Sequence, residues 1–538
     1  MAPATSSSSR TRAITLVLTL LLAVALQPLT ALPAAGEPVP TLPDEPVTAA
    51  EVAAGWLALE LVDGERLEGE FGPDAGLTAD AVFALAAAGV AEQQLLAAID
   101  WLSTQAPGYT QGVPFVEDDA VFAGATAKLI LALLVDDRDV RDLGGIDLIT
   151  QLEDREQDDG RFTDDFVTDD GPQDFSSTLT QSLAVLALQR AEDAAPSAAA
   201  VGFLLDQQCE DGGFRAAPDA DGCTSSVDTT GFAVQALVAL DDDEANAAAE
   251  QAAAWLVEVQ DQGGAYASAD GLNANSTALA ALAIELAPEV AGGAAAREAA
   301  LDALLALRTG CEGAFPGAIP FSAEDTGDVP RATTQVIPAL VGTGLATASA
   351  SGARAEVPAL LPFTDVTPGS THAPAICDLS ARDAIRGFDA RTFGPQRSLT
   401  RAQAASILAE LLDLAPVEGQ PFDDVPAGSL HAGAIAALDA EGIVGGQGDG
   451  NFRPSATLRR DQAASLLARA LELDPAPARD FDDVGDDNVH AGNIAALAER
   501  GIVTGTTPST YAPALELRRD QFASLLQRAF FAPEDDGS

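Results

Sequence analysis

The sequence predicts an all-α fold in two parts, and three observations carry that prediction. A strict 59-residue repeat fills the last third of the chain, and a looser repeat of 45 to 55 residues recurs six times before it. In both, apolar positions follow helical rather than strand spacing. At 538 residues the chain exceeds one core, and about 150 residues per domain gives three or four units.

The C-terminal units are expected at 361–417, 418–476 and 477–531. Phe363, Phe422 and Phe481 open them, followed by Asp365, Asp424 and Asp483 and by Val366, Val425 and Val484. All three histidines of the chain, His372, His431 and His490, share one column. Ile376, Ile435 and Ile494 precede Leu379, Leu438 and Leu497 at the i, i+3 spacing of a helix burying one face. Gly387, Gly446 and Gly505 mark the break after it, where a residue with positive φ is expected. An aromatic (Phe393, Phe452, Tyr511) and a proline (Pro395, Pro454, Pro513) follow in a loop, and Arg401, Arg460 and Arg519 start a second helix. Each unit is therefore helix, loop, helix. Thr400 with Gln403 predicts a capping box. Arg459 and Arg518 at the equivalent place predict poorer caps, with Asp461 and Asp520 complementing the dipole.

Phe422-Asp-Asp-Val425, Gly501-Ile-Val-Thr-Gly505, Phe452-Arg-Pro454 and Thr400-Arg-Ala-Gln403 resemble the S-layer homology family, over about 170 residues in three copies. The resemblance implies a pseudo-threefold module whose grooves hold a wall polysaccharide, often one ending in a pyruvylated sugar. It implies that Arg401, Arg460 and Arg519 contact the anionic group and that Asp365, Asp424 and Asp483 shape the grooves. Two departures are plain: histidine stands where the family commonly has tryptophan, and glutamine replaces its glutamate. A guanidinium at a helix start combines a bidentate fork with a favourable dipole, which suits an anion. The competing expectation is an ion pair of each arginine with a nearby aspartate. For His372, His431 and His490 the expected role is structural or carbohydrate contact rather than metal ligation, since no ligand set surrounds them in sequence.

In the N-terminal part, expected at 51–345, apolar pairs recur at Trp56-Leu57, Trp101-Leu102, Leu148-Ile149, Phe203-Leu204, Trp255-Leu256 and Leu304-Leu305. Most are followed by a Gly and aromatic loop and then an Ala- and Leu-rich helix, which predicts six helical hairpins. Gln157-Asp-Asp-Gly160-Arg-Phe162 and Gln208-Cys-Glu-Asp-Gly212-Gly213-Phe214 resemble the Q-x-x-G-x-W loops of squalene cyclase and prenyltransferase toroids. Six hairpins close an α6/α6 ring. The resemblance implies a central cavity for hydrophobic or cofactor-like molecules. No histidine precedes His372, which excludes the Asp, Cys and His zinc site of protein prenyltransferases. Asp228 in Ser226-Val-Asp228-Thr-Thr230 lacks the flanking carboxylates of a cyclase acid, and an isolated aspartate is a weak acid for an alkene. Asp228 to Thr230 therefore read as a capped helix start. No catalytic residue, metal ligand or cofactor is assigned.

With 82 acidic and 28 basic residues the net charge is −54, which repels a phosphate polymer and excludes nucleic acid as a partner. Arg10 and Arg12 before the apolar run Ala13 to Leu26 predict a signal peptide over 1–36, with a short linker over 37–50. No later segment is apolar enough to span a membrane after that cleavage. Export permits a disulfide between Cys209 and Cys223, while the pairing of Cys311 and Cys377 stays open. Residues 346–360, small and aperiodic, are expected to be an exposed linker.

The combined expectation is a secreted protein held non-covalently on a cell-wall polysaccharide, with a toroid that binds an unknown ligand or serves as a scaffold. The alternatives are a wall-tethered terpene cyclase-like enzyme and a cobalamin-type carrier.

Overall fold

A computed structural model describes residues 46–112, 120–168, 171–269, 271–287, 289–325, 327–382, 384–477, 481–485 and 487–531. The expected signal peptide lies outside the described residues. Among them, no helix is long and apolar enough to cross a membrane.

The N-terminal part is an α/α toroid. Its helices are α1 (Pro46–Glu60), α2 (Ala75–Ala88), α3 (Glu92–Thr104), α4 (Ala106–Gln111), α5 (Ala123–Leu133), α6 (Leu148–Glu153) and α7 (Thr178–Arg190). They continue with α8 (Ala198–Leu205), α9 (Val227–Val238), α10 (Asp243–Val259), α11 (Ala274–Leu286), α12 (Gly293–Leu307) and α13 (Val329–Val341). Six of them, α2, α5, α7, α9, α11 and α13, contact in that order and close back on α2 as an inner ring. The others lie outside, and the six apolar pairs of the sequence all sit on outer helices.

Helix position explains composition. An inner helix meets neighbours on nearly every side, so α11 buries Ala274, Ala278, Ala280, Ala281 and Ala283 completely. The outer helix α10 has one wet face: Ala245, Ala249, Ala252 and Leu256 are buried, while Asp243, Glu244 and Glu250 are exposed. Asp74, Ser177, Ser226, Asn273 and Asp328 cap five inner helices; for α5, Asp164 from another loop accepts from Ala123 N at 2.8 Å.

The Gln and Gly loops are braces between hairpins. Gln208 Nε2 donates to Gly212 O in its own loop and to Ala248 O on the next outer helix, at 2.8 and 2.9 Å. Gln260 repeats this toward Gly264 O and Ala296 O, at 2.9 and 2.7 Å. At the Gly160 loop the brace is Gln181 instead, donating to Gly160 O and Ala200 O. A Cβ on Gly160 would lie 2.1 Å from Ala199 O, at φ +87°, so only glycine permits that approach. In the sixth loop Phe315 packs edge-on to Trp56 of the first outer helix, which closes the ring.

The stretch expected as an exposed linker is instead fastened along the toroid. Arg190 donates to Leu345 O and Ala348 O, and Ala350 N to Val135 O at 2.8 Å. Arg354 N donates to Gly89 O, and Ala91 N to Glu356 O, at 2.9 and 2.8 Å. The reason is the parallel inner helices, whose C-terminal ends leave carbonyls unpaired at one mouth of the ring. Two donors of the strap, Ala350 N and Arg354 N, reach carbonyls just past such ends, at Val135 and Gly89, while Arg190 of α7 reaches back to strap carbonyls.

The C-terminal part comprises α14 (Ala373–Ala381), α15 (Arg401–Leu411), α16 (Ala432–Ala440), α17 (Arg460–Ala470), α18 (Ala491–Glu499) and α19 (Arg519–Phe530). The second helix of each unit packs on the first helix of the next: α15 on α16, α17 on α18 and α19 on α14. A backbone triangle marks the pseudo-threefold axis. Leu399 N donates to Leu517 O, Leu517 N to Leu458 O and Leu458 N to Leu399 O, at 2.9, 2.8 and 2.8 Å, with all three side chains fully buried.

Cys209 and Cys223 form one disulfide, and Cys311 and Cys377 form a second that ties the toroid to the first C-terminal unit.

Candidate functional site: grooves between the C-terminal units

The arginine column is at the interfaces between units. Arg401 is 6% and Arg519 7% exposed. Arg401 Nε donates to Phe452 O at 2.8 Å and Nη2 to Gly445 O at 3.3 Å, both in the second unit. Arg460 reaches Tyr511 O and Thr504 O in the third, and Arg519 reaches Phe393 O and Arg386 O in the first. Each guanidinium also stacks over the aromatic ring whose carbonyl it holds, 4.5–4.7 Å from the centroid. The helix-start amides are taken as well: Arg401 N and Ala402 N bond Ala456 O and Pro454 O. This arrangement corrects both the free anion fork and the competing aspartate ion pair, because the main partners are backbone carbonyls.

Asp365, Asp424 and Asp483 each accept two backbone N–H groups at the aromatic loop of their own unit, at 2.8 and 2.7 Å. Burial alone would raise the Asp483 carboxyl; the Tyr511 and Ala512 amides outweigh it and hold it below the usual range. These aspartates fix the loops that carry the arginines' partner carbonyls.

The three histidines do not meet on the axis. His372, His431 and His490 each place Nδ1 2.7–2.8 Å from a serine hydroxyl of the preceding unit in the cycle: Ser524, Ser406 and Ser465. Burial lowers the pKa of all three. A folded pKa below the unfolded value of about 6.5 means that the neutral form is favoured by folding. That stability is present above the unfolded pKa and is lost as pH falls through the folded ones. Thermal melts at pH 7.5, 6 and 5 should show the C-terminal part weakening below about pH 6.5, and a triple His→Asn variant should flatten that slope. An unchanged slope in the variant would assign the pH dependence to carboxylates.

Groove residues beyond the expected ones come from neighbouring columns. A groove of 370 Å³ is centred on the second unit and lined by Arg401, Gly445, Gly446, Arg459, Arg469 and His490, with Val489 at its lip. Val489 is 87% exposed. Arg459 pairs through two bonds with buried Asp461, whose Oδ1 also accepts from Gln462 N at 2.8 Å. Asp520 serves Gln521 N in the same way. The caps expected to be poorer are thus completed by aspartate, with Gln462 and Gln521 accepting from the backbone N–H of Arg459 and Arg518. A shift of one repeat places Arg460, Arg518, Arg528 and His372 at the corresponding positions of the third groove. The first differs: Thr400 replaces the paired arginine, and Glu410 replaces Arg469 and bonds Arg386 at 3.2 Å. The doubled arginines Arg459-Arg460 and Arg518-Arg519 were the sequence signal for the exposed cations.

Asp228 lies in the first turn of α9, behind the Ser226 cap, and lines a surface groove with Trp255 and Val259. The central cavity of the ring is lined by other residues.

The C-terminal geometry is that of three helix-loop-helix units closed in a cycle, and the N-terminal geometry that of a six-hairpin ring. Residues 362–405, 421–464 and 480–523 match the S-layer homology domain model, and 78–218 and 178–318 match the prenyltransferase alpha-alpha toroid domain model. The chain therefore carries three S-layer homology domains at its C-terminus, preceded by a prenyltransferase-like α/α toroid domain. It is similar to an S-layer protein of Bacillus thuringiensis subsp. finitimus, 31% identical over 172 residues, 31% of this chain and 21% of that one. It is also similar to the S-layer protein sap of Bacillus anthracis, 33% identical over 150 residues, 27% of this chain and 18% of that one. The matches thus span about a fifth of those relatives' length. Among solved structures, the type II terpene cyclase MstE from Scytonema shares 17% identity over 55% of this chain and 98% of its own, with a TM-score of 0.43. The three domains and the surface-layer relatives support placement at the cell surface.

Proposed function

We propose that the C-terminal domains hold the protein on an acidic cell-wall polysaccharide, and that the toroid is a ligand-binding module displayed there. The observation that carries the reading is the placing of Arg459 and Arg469 beside the tied Arg401 in the second groove, with Arg518, Arg528 and Arg460 at the same repeat positions of the third unit, in a chain of net charge −54. Such local cations suit carboxylate-bearing sugars, and the apolar lip at Val489 suits a sugar ring face. Arg469 is exposed, donates only weakly to Ile443 O at 3.3 Å, and supports no axis contact. The double variant Arg469→Gln/Arg528→Gln should therefore keep its fold while losing about tenfold or more in sedimentation with purified walls, one charge-assisted bond of about 1.5–3 kcal/mol per groove. Binding should also weaken with salt. Unchanged wall binding by the folded variant would remove these grooves from the site. Asp228, without flanking carboxylates and away from the central cavity, supports no cyclase role for itself.

A further inference from the structure

The inner ring has a layered interior. Counting from the first residue of each inner helix, the sixth positions are Asp80, Lys128, Leu183, Phe232, Leu279 and Thr334, and all six line one cavity of 200 Å³. In ring order, Thr334, Asp80 and Lys128 are contiguous and polar, and Leu183, Phe232 and Leu279 are contiguous and apolar. At this level one wall is therefore polar and the opposite wall is hydrocarbon, and one turn further along the helices Phe83 and Gln235 also line the cavity. Arg331, one turn from Thr334 on the same helix, adds a second cation to the lining. At the opposite mouth Leu345 of the strap lines the cavity, held by its N–H to Gln235 Oε1 at 3.1 Å.

We propose that this cavity binds a small aliphatic carboxylate, its head on Lys128 and Arg331 and its hydrocarbon against Leu183, Phe232 and Leu279. The inference deepens the reading of the toroid as a ligand-binding module. Lys128 is the only lysine among 538 residues, and it is placed inside the ring rather than on the surface. Its Nζ lies 2.7 Å from Asp80, its one polar partner among the described residues. An ammonium has three N–H donors, so two remain for an acceptor in the cavity. Burial would lower the Lys128 pKa, but Asp80 overrides it and the pKa is raised. The amine is thus a cation at neutral pH and not a nucleophile. Lys128 and Arg331 are the cations of the lining, and the selection of an anionic head rests on the undirected N–H donors of Lys128, since Asp80, Asp328 and Asp74 offset the two charges. Arg331 is partly engaged already, with Asp328 at 2.8 Å and Asp74 at 3.6 Å, which orients it. The volume is many times the roughly 10–15 Å³ that a water needs and below the roughly 300–1,000 Å³ of drug-sized sites. That size fits a short chain.

The test uses the full chain with octanoate and 1-octanol. Calorimetry should show octanoate binding at least tenfold more tightly than octanol, and Lys128→Met should remove that preference. Because Lys128→Met strands the Asp80 carboxylate, the pair Asp80→Asn/Lys128→Met serves as a folded control with the same expected loss of octanoate preference. A second readout needs no variant: acetylation of the single lysine, followed by mass spectrometry, should slow in octanoate and not in octanol. Equal binding of acid and alcohol would overturn the carboxylate assignment, and absence of both binding and protection at millimolar octanoate would overturn the site. Wall sedimentation of the same preparation is scored separately, so failure here is distinguishable from failure of anchoring or folding.

Discussion

Replacing Arg519 by methionine is expected to loosen the whole C-terminal part, by roughly 3–4 kcal/mol. The side chain is 7% exposed and donates to Phe393 O and Arg386 O across the interface that closes the third unit onto the first. Two charge-assisted bonds contribute about 1.5–3 kcal/mol each, reduced by relief of guanidinium burial, and two carbonyls are left unpaired. Stacking over Phe393 adds about 0.5–2 kcal/mol. Because the three units form a cycle, breaking one interface weakens the axis. Hydrogen exchange at the Leu399, Leu458 and Leu517 amides reads this directly, since each donates within the axial triangle. Unchanged protection at all three would make the arginine dispensable for the fold. Arg469→Gln is the contrast: a loss of wall binding with axial protection retained.

The second large effect is expected at Cys311 and Cys377. Their disulfide closes a loop of sequence separation 66, for which the chain-entropy relation gives about 4 kcal/mol. The Cys209–Cys223 bridge, at separation 14, gives about 3 kcal/mol. Serine pairs at each site should lower the denaturation midpoint, and the 311/377 pair should lower it more. It should also speed proteolysis within 346–360, because the strap then holds the junction with only the packing of Trp56, Leu59 and Pro316 against Leu361, Phe363 and Pro368. A 311/377 variant with the wild-type midpoint and cleavage rate would leave the strap as sufficient fastening.

Much of the architecture was legible in sequence because it rests on short-range rules. The i, i+3 apolar spacing at Ile376 and Leu379 and the Thr400–Gln403 cap each act within one or two turns, and repetition at 59 residues multiplied the signal. Gly387, expected at positive φ, is not in that region and instead permits a close approach, a Cβ there lying 2.5 Å from Asp389 O. The six outer apolar pairs and the Gly and aromatic loops gave the hairpins in the same way. The helix start at Ser226 was nearly right, although the cap is Ser226 itself and Thr230 accepts from Phe214 N.

What the sequence alone determined, then, is the all-α composition, the two repeat lengths and the positions of the turns, since those follow from local periodicity and backbone preference. The tertiary structure decided the roles of the charges. Arg401, Arg460 and Arg519 look like a row of free cations along the chain, but the threefold cycle brings a carbonyl-bearing loop against each and converts it to a structural tie. The small residues of 346–360 look like a tether, but parallel inner helices present unpaired carbonyls that fasten them. Lys128 and Asp80 stand 48 positions apart on different helices, and only the packing of successive inner helices sets them 2.7 Å apart, on one wall of a cavity whose other wall is hydrocarbon at that level. Partner identity depends on contacts distant in sequence, and periodicity carries no information about those.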